Sequence, residues 1–147
     1  MNTYAAKPVP GPAALPIAAD LAAQLKHALA GFTHIELALV FGSVATGRAR
    51  FDSDLDIAVA AKRALTSIEK QSIIAALATS TGRAIDLIDL NVAGEPLLGQ
   101  IVRHGQRLIG SDHAYGALIS RHLLDQADFM PYRNRILTER RAAWIGT

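Results

Sequence analysis

Short apolar runs alternate with amphipathic segments along most of the chain. Over residues 17–30 the apolar positions recur every four residues and Gly31 follows directly, a pattern typical of an amphipathic helix. Two apolar runs, Ile35–Phe41 and Leu55–Ala61, are too short for ordinary helices and predict buried strands. A third such run predicts a strand over Ala84–Leu90.

Two more helices are indicated by the residues at their ends. Thr66 and Glu69 have the spacing of a capping box that begins a helix, and Gly82 is placed to end it. Pro96 begins a shorter helix, since proline is favoured at the first helical position. From residue 113 onward only helical periodicity occurs, so we expect a C-terminal helical extension over 113–147.

Together these elements predict an α/β (α+β) fold, in which a small mixed β-sheet is flanked by helices and followed by a C-terminal helical pair. The predicted core spans residues 17–112. Proline-rich residues 1–16 predict a flexible N-terminal arm. Within the helical extension, Pro131 is expected to break or kink the chain and so to separate the pair.

Composition narrows the possible functions. The chain has 147 residues, of which 50% are hydrophobic and 19% are charged, a balance that excludes disorder for most of it. A formal net charge of +2 gives little reason to expect direct nucleic-acid binding. With no cysteine, disulfides and thiolate metal sites are excluded, and a cytoplasmic location is expected. No apolar run reaches the ~18 residues of a membrane span, so no membrane partner is expected.

The stretch Phe41–Val59 carries the most informative chemistry. Gly42 and Ser43 follow a predicted strand, where a strand-to-helix corner could hold a phosphate against backbone amides. Gly42 and Gly47 have the glycine spacing of a P-loop, which requires Lys and then Ser or Thr next. Arg48 stands at the lysine position and Ala follows it, so a P-loop is rejected.

Two carboxylates stand at the start of the second strand. Asp54 and Asp56 are two residues apart, so on a strand they share a face and lie about 6.6 Å apart. At an effective dielectric constant of about 20 they would repel by roughly 2.5 kcal/mol, a cost that a bound cation would reverse. Oxygen ligands favour Mg²⁺ or Mn²⁺, held together with substrate phosphates. For an isolated pair of this kind, however, a solvated strand face is the commoner explanation.

The third strand offers one more carboxylate to this pair. Asp86 and Asp89 are three residues apart and so face opposite sides of a strand. Only one of them can join Asp54 and Asp56. A charged residue in an apolar strand is costly to bury unless it is paired or binds a metal, which favours a function for at least one of them.

The order of these motifs resembles the nucleotidyltransferase superfamily to which DNA polymerase β belongs. More narrowly, it is similar to the minimal nucleotidyltransferases of the MntA type, the adenylyltransferase antitoxins that are paired with HEPN toxins. The positions that match the narrower motif are Gly42, Ser43, Ala45, Gly47, Ser53, Asp54 and Asp56. The family's arginine is replaced here by Thr46.

The resemblance implies a Mg²⁺-dependent enzyme that moves AMP from ATP to a hydroxyl, with a tyrosine of a cognate HEPN toxin as acceptor. It selects Asp86 over Asp89 and implies a hetero-oligomer with the toxin. The implied catalytic and metal-binding residues, for two Mg²⁺ ions or Mn²⁺, are Asp54, Asp56 and Asp86. The implied nucleotide- and phosphate-binding residues are Gly42, Ser43, Ser53 and Arg48.

Two other functions remain open at this stage. An antitoxin could neutralise its partner by binding alone, and Thr46 in place of an arginine would fit weakened catalysis unless Arg48 or Arg50 supplies the charge. Alternatively, the acceptor could be a small-molecule hydroxyl. A chain of this length leaves little room for a dedicated small-molecule pocket, and a masking protein has no reason to hold several carboxylates together.

Overall fold

The computed structural model describes residues 17–45 and 53–127, which form a four-stranded sheet with helices on both faces. The strands are β1 (Ile35–Phe41), β2 (Leu55–Ala61), β3 (Ile85–Asp89) and β4 (Gln106–Ile109). The helices are α1 (Ala19–Leu29), α2 (Gly42–Ala45), α3 (Ser67–Thr81), α4 (Leu97–His104) and α5, which occupies residues 112–127. The predicted α/β class with a mixed sheet is confirmed.

The strand order is β3-β2-β1-β4, with both kinds of pairing. β1 pairs antiparallel with β2 on one side and with β4 on the other. β2 and β3 are parallel, and α3 supplies the crossover that parallel neighbours require. The sequence analysis did not predict β4, because its four residues include only the apolar pair Leu108 and Ile109.

Alternate residues of the strands enter two separate hydrophobic clusters, one on each face of the sheet. The cluster under α1 and α3 includes Leu25, Leu29, Ile57, Ile73 and Leu77. The cluster under α4 and α5 includes Leu37, Leu39, Leu98, Ile101 and Leu118. Burial on both faces explains why β1 and β2 read as nearly continuous apolar runs rather than as alternating patterns.

The predicted end signals of α3 operate as expected. Thr66 Oγ1 accepts a hydrogen bond from the Glu69 N–H at 3.1 Å, and the Glu69 carboxylate accepts one from the Thr66 N–H at 3.2 Å. Gly82 ends the helix in the left-handed conformation, with φ of 69°. Ile68, which the sequence pattern places in this helix, is 75% exposed rather than packed.

A buried polar contact joins the segment just before α4 to α5. The imidazole Nδ1 of His122 contacts the carboxylate of Glu95, which also accepts a hydrogen bond from the Gly99 N–H at 3.1 Å. A Cβ at Gly99 would lie 2.9 Å from the His122 ring, so this close approach requires glycine. The contact therefore helps to hold α5 against one face of the sheet.

Some predictions fall partly outside the described residues. The arm predicted over 1–16, the residues after 127 with Pro131, and the division of the chain at residue 113 stay predictions. Two boundaries differ slightly: α1 begins two residues later than the predicted helix, and β3 is one residue shorter at each end than the predicted strand. Across the described ranges, no helix combines the length and apolarity needed to cross a membrane.

Asp89 at the end of β3 is a structural carboxylate. It is only 3% exposed, and its oxygens accept hydrogen bonds from the Leu65 N–H at 2.8 Å and the Asn91 N–H at 2.9 Å. These bonds tie the turn after β3 to the segment that enters α3. The carboxylate is therefore fully used within the fold.

We expect Asp89→Asn to destabilise the protein by about 1–3 kcal/mol, because an amide cannot accept both backbone hydrogen bonds in place of the buried carboxylate. Urea unfolding followed by circular dichroism measures the loss. Asp112→Asn, at an exposed carboxylate paired with Arg107, is the matched control and should change stability by less than about 1 kcal/mol. Equal effects of the two substitutions would contradict the structural role of Asp89.

Candidate active site

The chain turns sharply where β1 ends, and Gly42 makes that turn possible. Gly42 has φ of 72°, a left-handed conformation that residues with a side chain rarely adopt. A Cβ at this position would lie 2.9 Å from Cγ of Asp56, so the backbone passes directly against that carboxylate. The conformation and the close approach both require glycine, as the Gly-Ser motif predicts.

Strand pairing brings the carboxylate of Asp86 beside that of Asp56. Asp56 lies opposite Phe41 on β1 and in register with Asp86 on the parallel strand β3. The neighbouring residues Leu55 and Ile57 point the other way and are fully buried under α1 and α3. Asp56 and Asp86 therefore share the opposite face of the sheet, at the end where Gly42 begins α2.

The electrostatics of Asp56 reflect this crowding. Burial is the largest cause that raises its pKa above the ordinary value of 3.8. The charge of Asp86 and a side-chain hydrogen bond with Asp86 raise the pKa further, and the charge of Asp54 adds a smaller contribution. Three carboxylates thus act on one another here, which is unfavourable unless a proton or a cation compensates.

The other predicted site residues are distributed around this pair. Asp54 is exposed just before β2, with Ser53 half-buried beside it, and Ser43 is half-buried in α2. Asp89 lies on the side away from Asp86, as the three-residue spacing predicts. Arg48 and Thr46 lie outside the described residues, so their placement stays a prediction.

The donor set suits a divalent cation that arrives with its substrate. Within residues 17–45 and 53–127, no three Asp, Glu or His side chains are already arranged as a metal site. Mg²⁺ commonly takes one or two protein carboxylates and completes its octahedral shell with phosphate oxygens and water. Asp56 and Asp86 fit that requirement in donor type, and their mutual repulsion is the cost that such an ion would remove.

Gln106 is a site neighbour that the sequence analysis missed. It begins β4, lies beside Val40 in the sheet, and donates from Nε2 to the carbonyl oxygen of Ala45 at 2.9 Å. Its Oε1 accepts a hydrogen bond from the Ile17 N–H at 3.1 Å. The only signal in the sequence is a polar residue directly after the helix-ending Gly105, which does not reveal long-range partners.

A cavity of about 630 Å³ lies at the end of the sheet away from the carboxylates. Its walls include Leu37 on β1, Ala61 on β2, and Leu118 and Arg121 on α5. Asp54, Asp56 and Asp86 do not line it. Among the described residues, the carboxylates thus lie at the end of the sheet where Gly42 begins α2, and Asp54 and Asp86 are exposed there.

Comparison with known proteins shows the family to which the chain belongs. Residues 23–114 match the family model described as "Polymerase beta, Nucleotidyltransferase". The protein adenylyltransferase MntA of Shewanella oneidensis is 35% identical over 77 residues, which are 52% of this chain and 55% of that protein. The alignment thus spans about half the length of that relative.

Solved structures extend the likeness over more of the chain. A toxin–antitoxin crystal structure with AMP-PNP matches with a TM-score of 0.72 and 25% identity, over 82% of this chain and 98% of that one. A structure of a tri-AMPylated S. oneidensis HEPN toxin in complex with MNT antitoxin also matches, with a TM-score of 0.67 and 24% identity. The match covers 83% of this chain and 97% of the matched chain. The predicted resemblance to the MntA type is confirmed.

We expect Asp56→Asn to stabilise the metal-free protein at neutral pH by about 1 kcal/mol, because it removes a partly buried, repelled charge. The sign follows from the raised pKa of Asp56: the folded state binds this proton more tightly, so the penalty is present above the raised pKa. It disappears as the pH falls through that pKa towards 3.8. Urea unfolding in EDTA at several pH values measures the difference.

Asp20→Asn, at an exposed carboxylate in the first turn of α1, serves as the control for this measurement. It should not reproduce the pH-dependent gain. A metal-free Asp56→Asn protein that is less stable than wild type at neutral pH would mean that repulsion does not dominate at this carboxylate.

Proposed function

Because this chain belongs to the polymerase β nucleotidyltransferase family, we propose that it is a Mg²⁺-dependent adenylyltransferase that acts as the antitoxin of a HEPN toxin. In this proposal AMP passes from ATP to a hydroxyl of the toxin, most simply a tyrosine. The single observation that carries the proposal is the placement of Asp56 beside Asp86, with the Gly42 backbone directly against Asp56.

Asp54, Asp56 and Asp86 are the proposed catalytic and metal-binding residues. Asp56 and Asp86 are in register on neighbouring strands, and the charge of Asp54, just before β2, acts on Asp56. Bound Mg²⁺, or Mn²⁺ in its place, would neutralise phosphate charge and lower the pKa of an attacking hydroxyl. The resemblance to the family implies two such ions.

The reaction is an in-line substitution at phosphorus. The acceptor hydroxyl oxygen forms a bond to the α-phosphorus of ATP, and the bond from that phosphorus to the bridging oxygen of the β-phosphate breaks. Pyrophosphate leaves, and AMP remains on the acceptor. The hydroxyl proton passes to a carboxylate, for which Asp86 is suited because it is exposed.

Gly42, Ser43, Ser53 and Arg48 are the proposed nucleotide- and phosphate-binding residues. Gly42 allows the backbone of α2 to approach the carboxylates, so that phosphates bound there would lie next to the metal ligands. Ser43 in α2 and Ser53 just before β2 each carry a hydroxyl. Arg48 would stabilise the charge that grows on the leaving pyrophosphate.

The proposed partner follows from the relatives and from the shape of the site. Two of the similar solved structures are toxin–antitoxin structures, one with AMP-PNP and one with an AMPylated HEPN toxin. Asp86 is exposed, so a side chain on the surface of another protein would be able to approach it. A hetero-oligomer of this chain with its toxin is the assembly that such a reaction requires.

The carboxylate cluster also favours an enzyme over an antitoxin that only masks its toxin. Holding Asp56 against Asp86 lowers the stability of the metal-free fold, and binding alone would not need that cost. A small-molecule acceptor is less well supported, because the large cavity lies at the other end of the sheet from the carboxylates.

We expect transfer of AMP to a HEPN toxin encoded beside this protein, because the carboxylates and the nucleotide would meet at one edge of the sheet. The two purified proteins are incubated with ATP and Mg²⁺, and the intact mass of each is measured. One or more added AMP masses should appear on the toxin. Asp54→Asn or Asp56→Asn should lower the transfer rate by about 10³-fold or more, since metal charge is lost while side-chain volume is kept.

Asp89→Asn is the matched control for this assay, since Asp89 is a carboxylate on the same strand as Asp86 but on the other side. Below its unfolding temperature it should transfer AMP at close to the wild-type rate. A stable complex without any change in mass would favour a masking antitoxin. Full activity of Asp56→Asn would show that the metal ligands are misassigned.

Nucleotide binding gives a second prediction that does not depend on turnover. AMP-PNP with Mg²⁺ should raise the thermal unfolding temperature of the wild type, since a ligand at 100 times its Kd stabilises by about 2.7 kcal/mol. The same nucleotide in EDTA should have little effect, and Asp54→Asn should lose the Mg²⁺-dependent part. Equal stabilisation with and without Mg²⁺ would contradict a metal-bridged nucleotide.

A further inference from the structure

Gln106 connects three segments that are far apart in the sequence. Its Nε2 donates to the carbonyl oxygen of Ala45, the last residue of α2, at 2.9 Å. Its Oε1 accepts from the Ile17 N–H, just before α1, at 3.1 Å. The side chain is half-buried at the start of the edge strand β4. The side-chain amide of Gln106 thus binds Ala45 through its NH₂ group and Ile17 through its oxygen.

The segment that Gln106 holds cannot hold itself. The described part of α2, Gly42–Ala45, is a single turn of helix, which gains too few hydrogen bonds to be stable alone. Ala45 is fully buried, so its carbonyl oxygen needs a partner from the protein, and Gln106 supplies one.

The other end of the same segment touches the carboxylates. Gly42 lies so close to Asp56 that an added Cβ would overlap the carboxylate. α2 is therefore located by Asp56 at its first residue and by Gln106 at its last. Loss of the hydrogen bond from Gln106 would let the Ala45 end of α2 shift, which would change the distance between the Gly42–Ser43 backbone and the carboxylates.

We propose that Gln106 is a positioning residue for nucleotidyl transfer, which acts by holding α2 against Asp56. This inference rests on the proposed function, in which Gly42 and Ser43 bind the nucleotide phosphates. Gln106 is hydrogen-bonded to Ala45 and Ile17, so its effect is on the geometry of the turn. Displacements of about 1 Å at a reacting centre can cost up to 10²-fold in rate.

Two variants separate positioning from general stability. Gln106→Met keeps a side chain of similar length and loses both hydrogen bonds. Gln106→Glu keeps an oxygen for the Ile17 N–H but places a second oxygen against the Ala45 carbonyl, so it breaks the link to α2 selectively. Gln100→Glu, at an exposed glutamine on α4, is the control for the added charge.

The experiment measures kcat and KM for ATP in the toxin-modification assay. It also measures the Kd of AMP-PNP in the presence of Mg²⁺ and the Kd of the toxin. All measurements are made well below the unfolding temperature. We expect a rise of about tenfold in KM for ATP and in the AMP-PNP Kd for Gln106→Met, and a larger rise for Gln106→Glu. Toxin affinity should stay within about twofold of wild type, and Gln100→Glu should match wild type throughout.

The outcomes distinguish this inference from the proposed function. Folded Gln106 variants with wild-type KM and nucleotide affinity would overturn the positioning role while leaving the enzyme intact. If both variants fail to fold, Gln106 determines the fold and the proposal is wrong. If the wild type itself transfers no AMP, the proposed function fails. The AMP-PNP affinities of the variants would then still test whether Gln106 positions the nucleotide-binding turn.

Discussion

The parallel pairing of β2 with β3 is the constraint on which the site depends. It sets Asp56 level with Asp86, whereas a one-step shift would separate the two carboxylates. The pairing requires a crossover, which α3 provides with a capping box at its start and a left-handed glycine at its end. Asp89 then anchors the turn after β3 to the entrance of α3. The helix and the buried Asp89 carboxylate thus stabilise the fold in which Asp56 and Asp86 are in register.

Elements with a strong local signal could be predicted from the sequence. The bounds of β1 and β2 follow from uniformly apolar runs that end at polar residues, and α3 follows from its caps. β4 could not be predicted, because an edge strand of four residues gains its stability from β1 rather than from its own pattern. α2 also depends on the rest of the fold, since Ala45 is buried and hydrogen-bonded to Gln106.

The sequence proposes the members of the candidate site but does not reveal their arrangement. Period-two alternation correctly separated Asp86 from Asp89, since it is a local property of one strand. The contact between Gly42 and Asp56 depends on how β1 and β2 pair, and no local pattern encodes that pairing. Gln106 bridges Ala45 and Ile17, which are 61 and 89 positions away from it in the sequence. This role therefore emerges only from the folded chain.

The alternation of β2 has a consequence for folding fidelity. Leu55 and Ile57 enter the cluster under α1 and α3, while Asp56 lies between them on the other face. If β2 slipped by one residue during folding, its two faces would exchange, and the Asp56 carboxylate would be forced into that apolar cluster. Burying an unpaired carboxylate is far more costly than losing a few backbone hydrogen bonds. The charge that lowers the stability of the metal-free native state therefore penalises the misregistered state more heavily, and so serves as a safeguard against mispairing.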